Sequence, residues 1–203
     1  MASYMLLNGD FDDACLYLDS IKPYMQGSEE FYANFGIALA AEGRFVEAEE
    51  MLVQVKSKAI LEQYHFQAWL ARTYIMNERA WDAWDLYLKM DASADSFNLL
   101  RLIANDCYRT GAFFVSAKAF DVLERLDPTP EFWQGKCGAC CGALQMVVAG
   151  KEREERLLDV LALLRNSADR PQAQQVLDVV LSFVEQRGLG ATDVSDSVSE
   201  ELF

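Results

Sequence analysis

The segment 43-GRFVEAEEML-52 starts with a glycine, followed by an aromatic residue two positions on, a small residue five on and an apolar residue nine on. The same order recurs in 9-GDFDDACLYL-18 and 111-GAFFVSAKAF-120. A close variant is 78-ERAWDAWDLY-87, where Glu78 stands in the place of glycine and the aromatic, Trp81, comes one residue later. Aligning the small residues Ala14, Ala48, Ala83 and Ser116 gives successive spacings of 34, 35 and 33 residues. A fixed period of this length belongs to a helix–turn–helix unit that cannot bury its apolar face alone and must stack on its neighbours.

Thirty-four residues is the tetratricopeptide period, and other positions of that pattern fall into place. Gly36 and Gly43 bracket the second half of a first helix, and Ala48 opens the second. Leu70, Ala71 and Tyr74 take first-helix positions in the unit around 64–96, as Ile103 and Ala104 do around 97–130, which Pro128 closes. Small residues let the two helices of a unit approach, while large apolar residues fill the space between units. The predicted fold is all-α: a tetratricopeptide-repeat superhelix of antiparallel helix pairs over 1–130, its first unit represented only by a second helix near 11–22. The chain is therefore expected to start inside an array. Helices predicted over 131–148, 152–166 and 171–187 continue and cap it, with Pro171 suited to a first turn and Gly188 to a helix end. The last segment, 188–203, holds four acids and no base and is expected to be a flexible acidic tail.

Composition narrows the partners. Lys and Arg number 18 against 32 Asp and Glu, a net charge of −14. Such a field repels phosphate backbones and anionic lipid heads, which disfavours nucleic acid and membrane surfaces as main partners. The most apolar run, 157-LLDVLALL-164, is too short to span a bilayer. The opening MASYMLLNGDFDDA lacks the basic start of a signal peptide, so the five cysteines are expected to be reduced thiols.

Three of those cysteines, Cys137, Cys140 and Cys141, lie within 133-WQGKCGACCGALQ-145. A zinc site needs four ligands, often as two separated pairs, and no second CxxC exists. A redox CxxC follows a strand in a βαβ context, which this chain lacks. The neighbours Gly135, Gly138, Ala139, Gly142 and Ala143 favour a narrow helix-packing face, with thiols acting as small apolar groups. Metal or redox chemistry is the competing reading. His65 is the lone histidine and opens a first helix. The carboxylates Asp10, Asp12, Asp13, Glu47, Glu49 and Glu50 sit where solvated helix faces place them. AGK at 149–151 lacks the upstream glycine of a phosphate loop, because position 145 is Gln. The expectation is no catalytic site, no cofactor, no metal and no small-molecule substrate.

A binding surface fits better. First helices of such arrays line the concave face, which by this register carries His65, Ala68, Arg72 and Ile75, then Asn98, Arg101, Asn105 and Tyr108. The candidate protein-binding set is His65, Arg72, Asn98, Arg101, Asn105 and Tyr108. Its arginines and asparagines either dock a peptide carboxylate or acidic side chains, or pair with local acids. Phe113, Phe114, Trp81 and Trp84 are further candidates for exposed anchors, with inter-repeat core as the competing role.

Segments 69-WLARTYIMN-77, 102-LIANDCYRTGAFF-114 and 116-SAKAFDVLERLDPTPEFWQGK-136 are more specific than a generic repeat. They closely resemble the C-terminal part of the intraflagellar transport protein 56 family over about residues 8–187, the LDPTPEFWQGK junction being the most distinctive part. The resemblance implies a non-enzymatic tetratricopeptide subunit of intraflagellar transport complex B. It further implies contacts to other core subunits, notably the forty-six subunit, and to motility-related axonemal cargo proteins. Placement in the cilium or flagellum and at the basal body, with a cytoplasmic pool, follows from the same resemblance. In that family a basic residue stands at the position of Cys137 and an aliphatic one at that of Cys141, so no ligand cluster is implied. The alternative is a cochaperone-like adaptor that reads a peptide C-terminus through Arg72, Arg101 and Asn105.

Overall fold

Ser28 explains how the first complete helix pair begins. Its hydroxyl oxygen accepts the backbone N–H of Phe31 at 3.3 Å, and Glu29 and Glu30 fill the first turn, where carboxylates meet the positive end of the helix dipole. The computed structural model describes residues 11–167 and 171–187. Gly9 and Asp10 of the first repeat segment, and the acidic tail over 188–203, lie outside the described residues. The described residues are α-helical with short connections and contain no strand, and the repeats are those of an all-α tetratricopeptide fold. The chain divides into two compact units, Met1–Thr110 and Gly111–Phe203.

In the first unit, α1 (Phe11–Ile21) is followed by a single 3-10 turn and then by α2 (Glu29–Ala41) and α3 (Phe45–Leu52). A one-turn helix over Lys58–Leu61 leads to α4 (Tyr64–Met76), α5 (Ala80–Leu88) and α6 (Ala94–Thr110). α2 packs against α1, α3 and α4, and α4 packs against α5 and α6. That position explains why α2 is apolar nearly all round. Phe31, Phe35, Ala38 and Leu39 join Cys15 and Leu18 in one cluster, while Ala33 and Ile37 join Leu52, Phe66 and Leu70 in a second. The aligned small residues Ala14, Ala48, Ala83 and Ser116 are all 0 % exposed, as the register requires. At Gly36 a side-chain carbon would stand 2.6 Å from Leu52 Cγ, so the absence of one is what lets α2 close on α3.

The turn between consecutive helices has one demanding position. Gly43 (φ +84°) and Gly111 (φ +85°) occupy it in left-handed conformation, and Glu78 (φ +63°) occupies it between α4 and α5. Glycine adopts this backbone freely, whereas a residue with a Cβ is strained there.

In the second unit, α7 (Phe113–Leu126), α8 (Pro130–Val148), α9 (Arg156–Arg165) and α10 (Pro171–Arg187) follow in order. α8 packs against α7 and α9, and α9 also packs against α7 and α10. Thr129 caps α8 and Pro130 begins it, a position where the missing N–H costs nothing. The small residues of α8 act as notches. A carbon added at Gly135 would lie 2.6 Å from the Phe120 ring, and one at Gly142 would lie 2.6 Å from the Phe113 ring.

Candidate protein-binding surface

The predicted surface residues lie on α4 and α6, adjacent helices of the first unit. His65 is exposed at the start of α4, and Ala68 one turn on is half-buried. Arg72 Nε donates to Asp106 Oδ2 at 2.8 Å, and its guanidinium lies 5.5 Å from the centre of the Trp69 ring. Asp106 itself is buried. Arg72 is therefore first of all a tie between consecutive repeats, set one period from its partner. Ile75, expected on the same face, is in the core instead: it lies three residues beyond Arg72 on the side that faces the neighbouring helices.

On α6, Asn98, Arg101, Asn105 and Tyr108 follow helical spacing and share one side. Arg101 is exposed and reaches Asn98 Oδ1 at 3.5 Å, and among the described residues no carboxylate pairs with it. Asn105 Nδ2 donates to the Arg101 carbonyl at 2.8 Å, which ties that amide to its own helix. Tyr108 is exposed at the far end. The structure thus brings the α6 residues together and adds Arg72 as a half-exposed, already paired guanidinium. Of the aromatic candidates, Phe114 and Trp84 are core residues, Phe113 fills the Gly142 notch, and Trp81 is exposed.

The cysteine triplet separates on folding. Cys140 is fully buried in α8, Cys137 is half-buried and Cys141 is exposed. The close approaches are at Gly135 and Gly142, Ala139, Cys140 and Ala143 are buried, and Cys141 is not part of the buried face. Burial pushes the Cys140 thiol far above its ordinary range. Burial also raises Cys107 to about 12, with a smaller push from Asp106. Cys15 rises to about 12 through burial and then the Glu42 carboxylate. Such thiols stay protonated and are poor nucleophiles and ligands. Among the described residues no three His, Cys, Asp or Glu side chains gather in a metal-binding group.

Sequence reasoning missed a buried polar centre in the second unit. Lys136, 0 % exposed, donates from Nζ to Asp121 Oδ1 at 2.7 Å, Glu124 Oε2 at 3.3 Å and Ser167 Oγ at 2.7 Å. Ser167 in turn donates to Glu124 at 2.7 Å, and Asn166 and Arg125 both reach Asp121. Two cations and two carboxylates balance, which is the condition for burying charge. The legible signal was in α7: Asp121 and Glu124 sit three apart among Ala117, Phe120 and Leu123, on the side that should be apolar. The distinctive LDPTPEFWQGK junction ends on this lysine.

Comparison with known proteins points to the same family as the segment resemblance. A family model described as intraflagellar transport protein 56 matches residues 1–191. A Caenorhabditis elegans protein named intraflagellar transport protein 56 homolog is 35% identical over 150 residues. That alignment covers 74% of this chain and 26% of the relative, so the chain spans about a quarter of it.

Proposed function

The chain belongs to the intraflagellar transport protein 56 family, and on that premise we propose that it serves as a non-enzymatic scaffold and cargo-adaptor segment of intraflagellar transport complex B. It binds other core subunits, notably the forty-six subunit, and helps carry motility-related axonemal proteins into the cilium. It resides in the cilium or flagellum and at the basal body, with a cytoplasmic pool. The observation that carries this role is the family match across residues 1–191. Stacked helix pairs suit it, because they present extended rigid surfaces whose affinity comes from a few apolar anchors and complementary charge. The proposed binding face is His65, Arg72, Asn98, Arg101, Asn105 and Tyr108. Affinity purification of the tagged chain from ciliated cells, read by mass spectrometry, should recover complex B subunits. Recovery at background level, together with absence from cilia, would remove this role.

Arg101 supports a second reading, a cochaperone-like adaptor for acidic peptide ends, because it is exposed with no carboxylate partner among the described residues. Calorimetry with acidic and basic peptides tests it. Affinity for an acidic C-terminal peptide must fall in Arg101→Ala, and unchanged affinity ends that reading.

A further inference from the structure

In the first unit, α3, the end of α4 and the α4–α5 turn line a groove of about 580 Å³. Its walls are Val46 (68 % exposed), Val53 (50 %) and Met76 (44 %), aliphatic side chains standing in solvent. Exposed apolar groups gathered in a concavity mark interaction sites more often than scattered ones do. The floor is held rigid. Asn77 Nδ2 donates to the Phe45 carbonyl at 3.1 Å and to Glu49 Oε2 at 2.6 Å, and Arg79 pairs with Glu49 and with Asp82. The groove is therefore pre-formed, and an occupant does not have to order it.

Its rim is acidic. Glu49 and Arg79 neutralise one another, which leaves Glu50 and Glu78 lining the groove with no ion pair among the described residues. Glu78 is also the residue that holds a left-handed backbone where the equivalent turns use Gly43 and Gly111. Strain kept at one position of a repeated turn is a pointer to use of that side chain, and here it places a carboxylate on the groove rim.

We propose that this groove docks an amphipathic helix of another protein, one that sets two or three aliphatic side chains between Val46, Val53 and Met76 and flanks them with lysine or arginine opposite Glu50 and Glu78. Charge selects this occupant. A second copy of the chain carries −14 and is repelled. The chain's own ends are unsuitable, since residues 1–10 and 188–203 contain acids and no base. Helix-in-groove docking through apolar anchors spaced by turns is a common mode for a surface of this kind. The proposal deepens the scaffold role above by giving one of its surfaces a partner chemistry.

The test uses the full chain and a fluorescein-labelled helical peptide of about 18 residues with leucine on one stripe and lysine elsewhere, read by anisotropy at physiological salt. A scrambled peptide of equal composition and a leucine/glutamate peptide are the comparisons. The striped cationic peptide should bind best. Val46→Asp with Val53→Asp should weaken it roughly tenfold or more, Glu50→Gln with Glu78→Gln several-fold, and Leu88→Asp, on exposed α5 surface, not at all. Circular dichroism checks that each variant folds. Glu78→Gly supplies an independent arm: it should melt higher than wild type and yet bind more weakly. No binding, equal binding of the scrambled peptide, or affinity unchanged in the groove variants would each overturn the proposal. Complex B subunits recovered normally by a groove variant would overturn the groove alone and leave the scaffold role standing.

Discussion

Replacing Lys136 with methionine is the sharpest perturbation of the second unit. Methionine matches the length of the lysine stem and leaves no large cavity, so the effect isolates the charge. Three hydrogen bonds from Nζ vanish. Asp121 keeps Asn166 and the exposed Arg125, and Glu124 keeps the Ser167 hydroxyl. Breaking a buried pair by removing one member costs about 3–5 kcal/mol. Because Arg125 still offsets Asp121, the lower end of that range is expected. Adding Glu124→Gln removes a buried negative charge that has lost the lysine while keeping an acceptor for Ser167, and should recover about 1–3 kcal/mol. Urea unfolding followed by circular dichroism measures both variants, and amide exchange on α7 and α8 assigns the loss to this unit. A Lys136→Met protein within about 0.5 kcal/mol of wild type, or a double variant no more stable than the single, would refute the view that this lysine is a buried counter-charge.

Five further outcomes follow from the geometry. Glu78→Gly should stabilise by about 0.5–1 kcal/mol and Gly43→Ala should destabilise by about 1–2 kcal/mol, both read as shifts in melting temperature. Gly142→Ala should cost about 1–3 kcal/mol through collision with the Phe113 ring, with Gln145→Ala on the exposed side of the same helix as the neutral comparison. Arg72→Ala should lose about 1 kcal/mol because buried Asp106 is left alone, whereas Arg101→Ala should lose almost nothing; denaturant midpoints separate the two. Pulsed N-ethylmaleimide labelling with mass spectrometry should modify Cys141 early and Cys15, Cys107 and Cys140 only on unfolding. The same burial sets a pH dependence. Cys15 and Cys107 hold their protons up to about 12 when folded, against 9.0 ordinarily, so the folded state binds more protons through that window. Stability from this source is complete below about 9 and is lost as pH rises toward 12.

The repeat was readable because it is written in residues whose size is forced. Ala14, Ala48, Ala83 and Ser116 are all fully buried, and small residues at such positions let packed helices approach, so the period survives in the bare sequence. Ile75 was misplaced for the opposite reason: a residue three beyond Arg72 shares its side only approximately, and helix rotation against the neighbours decides which of the two turns inward. The cysteines misled in part because clustering in sequence is not clustering on a helix face; adjacent residues point about 100° apart, which buries Cys140 and exposes Cys141. Lys136 was illegible by type, since lysine is almost never fully buried unless paired. Its partners lie twelve or more residues away on other elements. Arg72 and Asp106, by contrast, are 34 residues apart, and the repeat period could have suggested that pair.

The two notches in α8 act together as a mechanical detent. Phe120 rests on Gly135 and Phe113 on Gly142, two rings and two glycines with the same seven-residue separation, running in opposite chain directions. If α7 slid by one turn, about 5.4 Å, both rings would leave their notches together. The two fits are spaced so that a single register of the helix pair seats both rings at once.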